Sequence, residues 1–473
     1  MPPFHKFKRI WWVLLVSLIL SFFVVWQGVL FVSLFLLCLL IWALSYRLEF
    51  GWYILVFLSP MINWIIDFNN YRFLFDSHPI LLSINAPVVD FWAIILFLAF
   101  AVSLSRRWLF GQKIELSFLG LGWFSFFLIS ALLSLFSLHG GMVGVGVKYI
   151  IRFFLLIYFG FIFLGVNIVK DKKVLDQSLL ALAITGVLAA LMGFVSFFLG
   201  VGIETYGVPR STPFAIGSWT PFGLQHVFLA ETIFTALPVM LWFWYAANDK
   251  RIKNIFGWLA VFSLTIGLLT LSRAGWITLF FGLITFLFLV RGRINCLQIV
   301  KKFSWLMIFV LPTLVYLIYF LASSQTVVAS TNARWYLTEI SFYLFSQHPI
   351  LGNGAGSFLS ILGSIQFFWY EIGGNLTDAH GIIQKILAEQ GILGAVSLGL
   401  FFGVFLSVMY KEFKKQNFTN LNSSYLLLGI MLIIMPLTSQ LFGTSYYTAK
   451  LWVPVSLALI IINLYIPKLY GHK

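Results

Sequence analysis

Within the stretch DAHGIIQKILAEQG, residues 378–391, four ionisable side chains interrupt an otherwise apolar run: Asp378, His380, Lys385 and Glu389. His380 is the one whose charge changes near neutral pH, so it can take or give a proton in a reaction. It stands at the predicted start of a helix, where spare backbone N–H groups also favour anions. Lys385 and Glu389 are spaced i, i+4 and share a helical face, where they can pair inside an apolar setting. Both are therefore read as structural support. Asp378 precedes the helix as a capping acid or as an orienting partner of His380. Upstream, HPILGNGAGSF (348–358) places Gly352, Gly354 and Gly356 at alternate positions. Glycines so placed allow a left-handed backbone and close approach to a ligand, or simply build a tight turn.

These residues belong to a chain that is 61% hydrophobic and only 10% charged over 473 residues. A soluble domain is near a quarter charged. Apolar runs of about 20 residues, enough to cross roughly 30 Å of hydrocarbon, recur along the whole length. In lipid the backbone must satisfy its own hydrogen bonds, so such runs are helices. Fourteen are expected: 10–27, 29–45, 52–66, 88–104, 117–137, 147–166, 176–200, 226–246, 255–271, 276–290, 303–321, 381–409, 424–442 and 451–466. The first has the look of a signal peptide, but no small-residue cleavage site follows it and a second run comes at once, so it is read as a retained helix. Cys38 and Cys296 argue for neither a disulfide framework nor a metal site.

The net charge of +15 invites a nucleic-acid reading, which the distribution of that charge excludes. All but eight of the 30 basic residues fall in the N-terminus, the tail and alternate loops, on one side of the expected membrane. That side is cytoplasmic by the positive-inside rule, and both termini lie on it. The remaining eight are Arg72, Lys148, Arg152, Arg210, Arg273, Arg334, Lys385 and Lys450. A cation near lipid is costly unless it is paired or lines a wet cavity, so each is a candidate for function. For Lys148 and Lys450 the simplest reading is a side chain snorkelling to the interface. His226 and Glu231, five apart, do not face each other squarely, and no role follows for them.

Three outer loops are long: 67–87, 201–225 and 322–380. The last contains NARWYLTEISFYLFSQHP (332–349), with apolar residues at 335, 336, 340, 343 and 344. That spacing predicts an amphipathic helix on the membrane surface, capped by Asn332 and ended by Pro349.

LTLSRAGW (269–276), ARWYLTEISFYLFSQHPILGNGAGSF (333–358) and DAHGIIQKILAEQGILGAV (378–396) occur in that order around the longest outer loop. The ordered set resembles the O-antigen ligase and polymerase superfamily of bacterial envelope glycosyltransferases. The resemblance covers residues 255–410, and Gly381 stands where members commonly carry Asn. Members often have about twelve spans. The resemblance implies an all-α polytopic protein of the cytoplasmic membrane with 12–14 spans and the fold of the lipid-sugar (GT-C-like) glycosyltransferases. It divides the chain into an N-terminal bundle (1–254), a catalytic region (255–410, including loop 322–380) and a C-terminal hairpin (411–473).

It further implies that a glycan passes from a polyprenyl (undecaprenyl) diphosphate donor to a hydroxyl of a glycan, lipid-linked or protein acceptor, at the outer face and without metal or other cofactor. With no metal, the departing diphosphate needs fixed cations, and arginine is always charged and binds phosphate oxygens in pairs. Arg273 and Arg334 match the family arginines; Arg210 is a further candidate on topology alone. Gly352, Gly354 and Gly356 become candidates for substrate binding. Two roles fit His380: general base for the acceptor hydroxyl, slightly preferred, or an imidazolium holding a phosphate oxygen. A protein oligosaccharyltransferase differs only in acceptor. A flippase or transporter without transferase activity would show paired internal repeats with broken helices, and the SRAG and DAH elements occur once each.

Overall fold

The computed structural model describes residues 28–67, 85–138, 142–217, 219–291, 325–362, 378–416 and 421–466, with four positions between 312 and 319. The expected spans 10–27 and 303–321, and Arg72, lie outside the described residues. Among those described, eight helices are long and apolar enough to cross a membrane, or nine if one sharply bent pair counts as a span. The mostly helical membrane architecture follows directly from the apolar runs. The count of fourteen does not, and the differences have local causes.

Helices α1 (Gly28–Leu44) and α2 (Leu48–Leu58) are the bent pair, turning by 110°. Ser45 to Arg47 break the chain there. The turn is held by Arg106, whose Nη2 donates to the Ser45 carbonyl at 3.1 Å and whose guanidinium lies 3.8 Å from the Tyr46 ring centre. α2 stops short of the expected 66, just before Pro60, and the chain enters a short antiparallel ladder of β1 (Ile65–Asp67) and β2 (Asn85–Pro87). Just before β1, Asn63 N–H donates to the Pro221 carbonyl at 3.3 Å.

Then come α3 (Val88–Leu109), α4 (Leu121–Ser134), α5 (Met142–Ile168, with a π-helical middle), α6 (Lys172–Phe198) and the short α7 (Val201–Tyr206). α8 (His226–Ala246), α9 (Lys250–Leu269) and α10 (Arg273–Val290) follow. α9 starts five residues earlier than hydropathy suggests because its first turn carries Lys250, Arg251 and Lys253. Asp249 caps it, accepting the Arg251 N–H at 2.7 Å. A charged first turn is invisible to an apolar window yet helical all the same.

α11 (Gln325–Gln347) and α12 (Phe358–Leu362) belong to the long loop 322–380. α11 begins upstream of Asn332, so that residue is interior and caps nothing. Its buried face is Leu337, Ile340, Ser341 and Leu344, while Trp335 and Tyr343 are 64% and 58% exposed. The buried face packs on Phe358, Leu362, Ala379 and Ala388. α13 (Ile382–Lys415), α14 (Leu421–Ser439) and α15 (Ala449–Tyr465) complete the molecule. Residues 449–462 of α15 are buried on every side. A helix apolar all round belongs in the interior. One buried cluster runs from Trp52 to Ile466 and draws on helices from α2 to α15.

Candidate active site

α10 begins at a tight corner. Leu271 takes a left-handed φ of 51°, and Ser272 caps the helix by accepting the Gly275 N–H at 3.2 Å. The corner throws the Arg273 side chain off the end of α10 towards α11. Its Nη1 donates to Thr331 Oγ1 at 2.8 Å. Arg334 lies one turn further along α11, half-buried, with no partner for its Nε among the described residues. Burial and the charge of Arg273 both lower its pKa from the usual arginine value, but a guanidinium remains cationic.

The next turn of α11 carries Leu337, which packs in one cluster with Ala379. α11 thus presents Arg273, Arg334 and the His380 loop at successive turns. His380 is half-buried, and its pKa is lowered to about 4 by burial and then by the Arg334 charge, with Asp378 opposing. The imidazole is therefore neutral at neutral pH and can accept a proton.

Arg210 reaches the same place from the loop before α8. Its backbone is pinned: Ser211 N–H donates to the Leu269 carbonyl at 2.9 Å, and Thr212 N–H to Ser196 Oγ at 3.0 Å. Leu269 ends the helix that leads into the Arg273 corner. Arg210 is buried, and its Nη1 meets Nε2 of His226, the first residue of α8, at 3.3 Å. α8 and α10 pack together where Gly275 faces Ala230 and Phe234. This sets His226, one turn above Ala230, level with the Arg273 corner, and the charges of Arg334 and Arg273 act on its ring. His226 was missed in the sequence because its partners lie on other segments, and spacing reports only partners along one helix.

A second polar cluster lies behind His380. Asp378 is not a helix cap, since α13 starts at Gly381 without a side-chain cap. Its Oδ1 accepts the Ala379 N–H at 3.0 Å and its Oδ2 holds the Lys385 ammonium at 2.5 Å. Lys385 lies 3.8 Å from Glu389 and near the rings of Tyr149 and Tyr447. Glu389 accepts the Phe358 N–H at 3.2 Å, and Tyr446 Oη approaches it at 3.5 Å. The nearest partner of Lys385 is thus seven residues back as well as four ahead, because the chain folds over at 378–381.

The glycine segment is built against this helix. α13 breaks at Gly391 (φ 63°, ψ −160°), and the freed N–H groups of Ile392 and Leu393 are taken by the Pro349 and Ile350 carbonyls at 2.9 and 3.4 Å. Asn353 N–H donates to the Ala388 carbonyl at 2.9 Å and Gly354 N–H to the Glu389 carbonyl at 2.8 Å. A Cβ on Gly352 would stand 2.3 Å from the Glu389 carbonyl carbon, and one on Gly354 would stand 2.3 Å from Leu138. Close approach to the α13 backbone at Gly352 and to the Leu138 side chain at Gly354 is reason enough for glycine there.

Lys450 does not snorkel. It is buried and paired with Glu231 at 2.8 Å, and it donates to the Phe228 carbonyl at 2.9 Å. Glu231 also accepts from Ser439 and Gln440. Arg152 pairs with Asp90 at 2.5 Å, whereas Lys148 is exposed.

Residues 258–399 match the family model described as O-antigen ligase. A search of curated proteins finds no match. The matched stretch, under a third of the chain, holds Arg273, Arg334, the glycine segment and His380, the elements that α10, α11 and α13 bring together, and this match supports the O-antigen ligase and polymerase superfamily.

Proposed function

We propose that this protein transfers a glycan from a polyprenyl diphosphate donor to an acceptor hydroxyl at the outer face of the cytoplasmic membrane, as a ligase or polysaccharide polymerase without a metal. The acceptor oxygen bonds to the anomeric carbon while the bond from that carbon to the phosphate oxygen breaks. The electron pair leaves with the polyprenyl diphosphate. The hydroxyl proton passes to His380 and from there to water. Arg273, Arg334 and Arg210 balance the charge that grows on the departing phosphate.

The observation that carries this reading is convergence. Three arginines from separate segments act on His226, one of them, Arg210, buried and in contact with it, and Arg334 also acts on the neutral His380. The gathering occurs at the Leu269 end of α9, whose 20 residues set it roughly 30 Å from the basic turn at Lys250. That separation supports a reading in which the basic turn is cytoplasmic and the arginines lie across the membrane from it, with a GT-C-like fold and cytoplasmic termini as parts of the same proposal. An apolar cleft lined by Phe194, Phe197, Phe198, Phe262, Ile266 and Leu269 opens at the same end and suits a prenyl tail.

The test is transfer by purified protein from a polyprenyl-diphosphate oligosaccharide to offered acceptors, with a chelator present. Product is expected despite the chelator. Arg273→Ala and His380→Ala should each lower the rate by about 10²–10³ while the protein still folds. Unimpaired variants would remove the site assignment; chelator sensitivity would remove the metal-free mechanism.

A further inference from the structure

Two histidines stand near the arginines, and their surroundings assign them different work. His226 Nε2 lies 3.3 Å from Arg210 Nη1. A guanidinium has donors and no acceptor, so Nε2 must be the accepting lone pair. The ring is therefore neutral with its proton on Nδ1. The position reinforces this: His226 opens the 21-residue helix α8, whose N-terminus carries partial positive charge and disfavours a cation. Its lone pair is already committed to Arg210, so His226 is unsuited to take the acceptor's proton. His380 faces Arg334 and Asp378 instead.

The backbone just after Arg210 is held, and α7 lies so close that a Cβ on Gly202 would stand 2.2 Å from the Arg210 carbonyl oxygen. The side chain beyond Cγ is long and rotatable, and the contact with His226 narrows its rotamers. Resting on the proposed transferase reading, we infer that neutral His226 is a positioning residue that orients the Arg210 guanidinium towards the donor diphosphate. His226 touches neither the reacting carbon nor the acceptor; it acts through Arg210.

The experiment compares His226→Phe, His226→Gln, Arg210→Ala and the double variant Arg210→Ala/His226→Phe in the transfer assay, with inorganic pyrophosphate as a competing probe. Glutamine can place an oxygen acceptor near the Nε2 position but has no acid–base function. H226F should raise the donor KM and weaken pyrophosphate inhibition about tenfold or more, the loss of a charge-assisted hydrogen bond, with kcat changed less. H226Q should recover most of that loss. The double variant should be no worse than R210A, because both substitutions remove the same contact. If H226F does not assemble, H226A takes its place in every arm. Three outcomes overturn the inference: H226F and H226A matching wild type, H226Q losing kcat at unchanged donor KM, or R210A and H226F penalties that multiply. Absence of transfer by the unaltered protein would instead refute the transferase reading itself.

Discussion

A histidine held neutral by burial and a neighbouring guanidinium is a weak base until something restores its basicity. In His380 the bound donor can supply that. A diphosphate diester carries two negative charges, and set against Arg334 it offsets the smaller of the two effects, burial and then the Arg334 charge, that lower the imidazole pKa to about 4. The sign follows directly. In the free enzyme the competent neutral form persists as pH falls and is lost only as pH passes below about 4. Donor kcat/KM is thus expected to stay level from neutrality to about pH 5, and the acid limb of kcat should lie higher, in the donor complex. A kcat/KM limb near the unperturbed histidine value of about 6.5 would contradict the burial argument. Lys385 supports a prediction of a different kind. It joins Asp378 and Glu389 in a setting where its side chain is 4% exposed. Lys385→Met leaves two acids facing each other without a cation and should cost about 3–5 kcal/mol, read as a lower melting temperature in detergent. Replacing Glu389 by Gln as well should return part of the loss, since one buried charge then disappears.

Among the elements, the broken helix α13 decides where the loop residues stand. Had it run unbroken, the N–H groups of Ile392 and Leu393 would bond within the helix, and the Pro349–Asn353 strand of backbone would have no seat. The break rests on Gly391, in a region of backbone space open essentially to glycine. A Cβ there would also stand 2.4 Å from the Ile350 oxygen. Gly391→Ala is expected to destabilise by at least about 1–3 kcal/mol from backbone strain alone. Limited proteolysis should show the outer-loop segment opening first. Gly399, on the same helix with open space around it, is the matched control, expected to be neutral or stabilised by up to about 1 kcal/mol when changed to Ala. α11 plays the complementary part. The i, i+3 rhythm of Thr331, Arg334 and Leu337 turns one helical face into a ruler against which Arg273 and the His380 loop are set.

In the whole molecule the site is closed from behind by charges that hydropathy would place elsewhere. Glu231 on α8 and Lys450 on α15 form a buried pair with Ser439 and Gln440, tying the helix that starts at His226 to the innermost helix of the bundle. Lys450→Met should lower stability by about 3–5 kcal/mol, and the double change Lys450→Met/Glu231→Gln should be much milder, both by thermal melting. A milder single variant would mean that water reaches the pair. The composition and the apolar runs were sufficient for a helical membrane protein, because in lipid each helix satisfies its own backbone and only length and polarity matter. The ordered motifs pointed to the superfamily whose ligase model matches residues 258–399. Arg273, Arg334 and His380 could be singled out because they are charges or proton carriers in a chain that has few. Their meeting could not be read that way. It depends on Arg273 reaching across to Thr331, on the fold-over that brings Asp378 to Lys385, and on Arg210 finding His226. The lost span in the bent α1–α2 pair and the buried Lys450 were hidden for the same reason. Hydropathy and periodicity record what one segment does along its own axis, whereas these features arise where separate segments exchange water for one another, and only tertiary packing decides which ones meet.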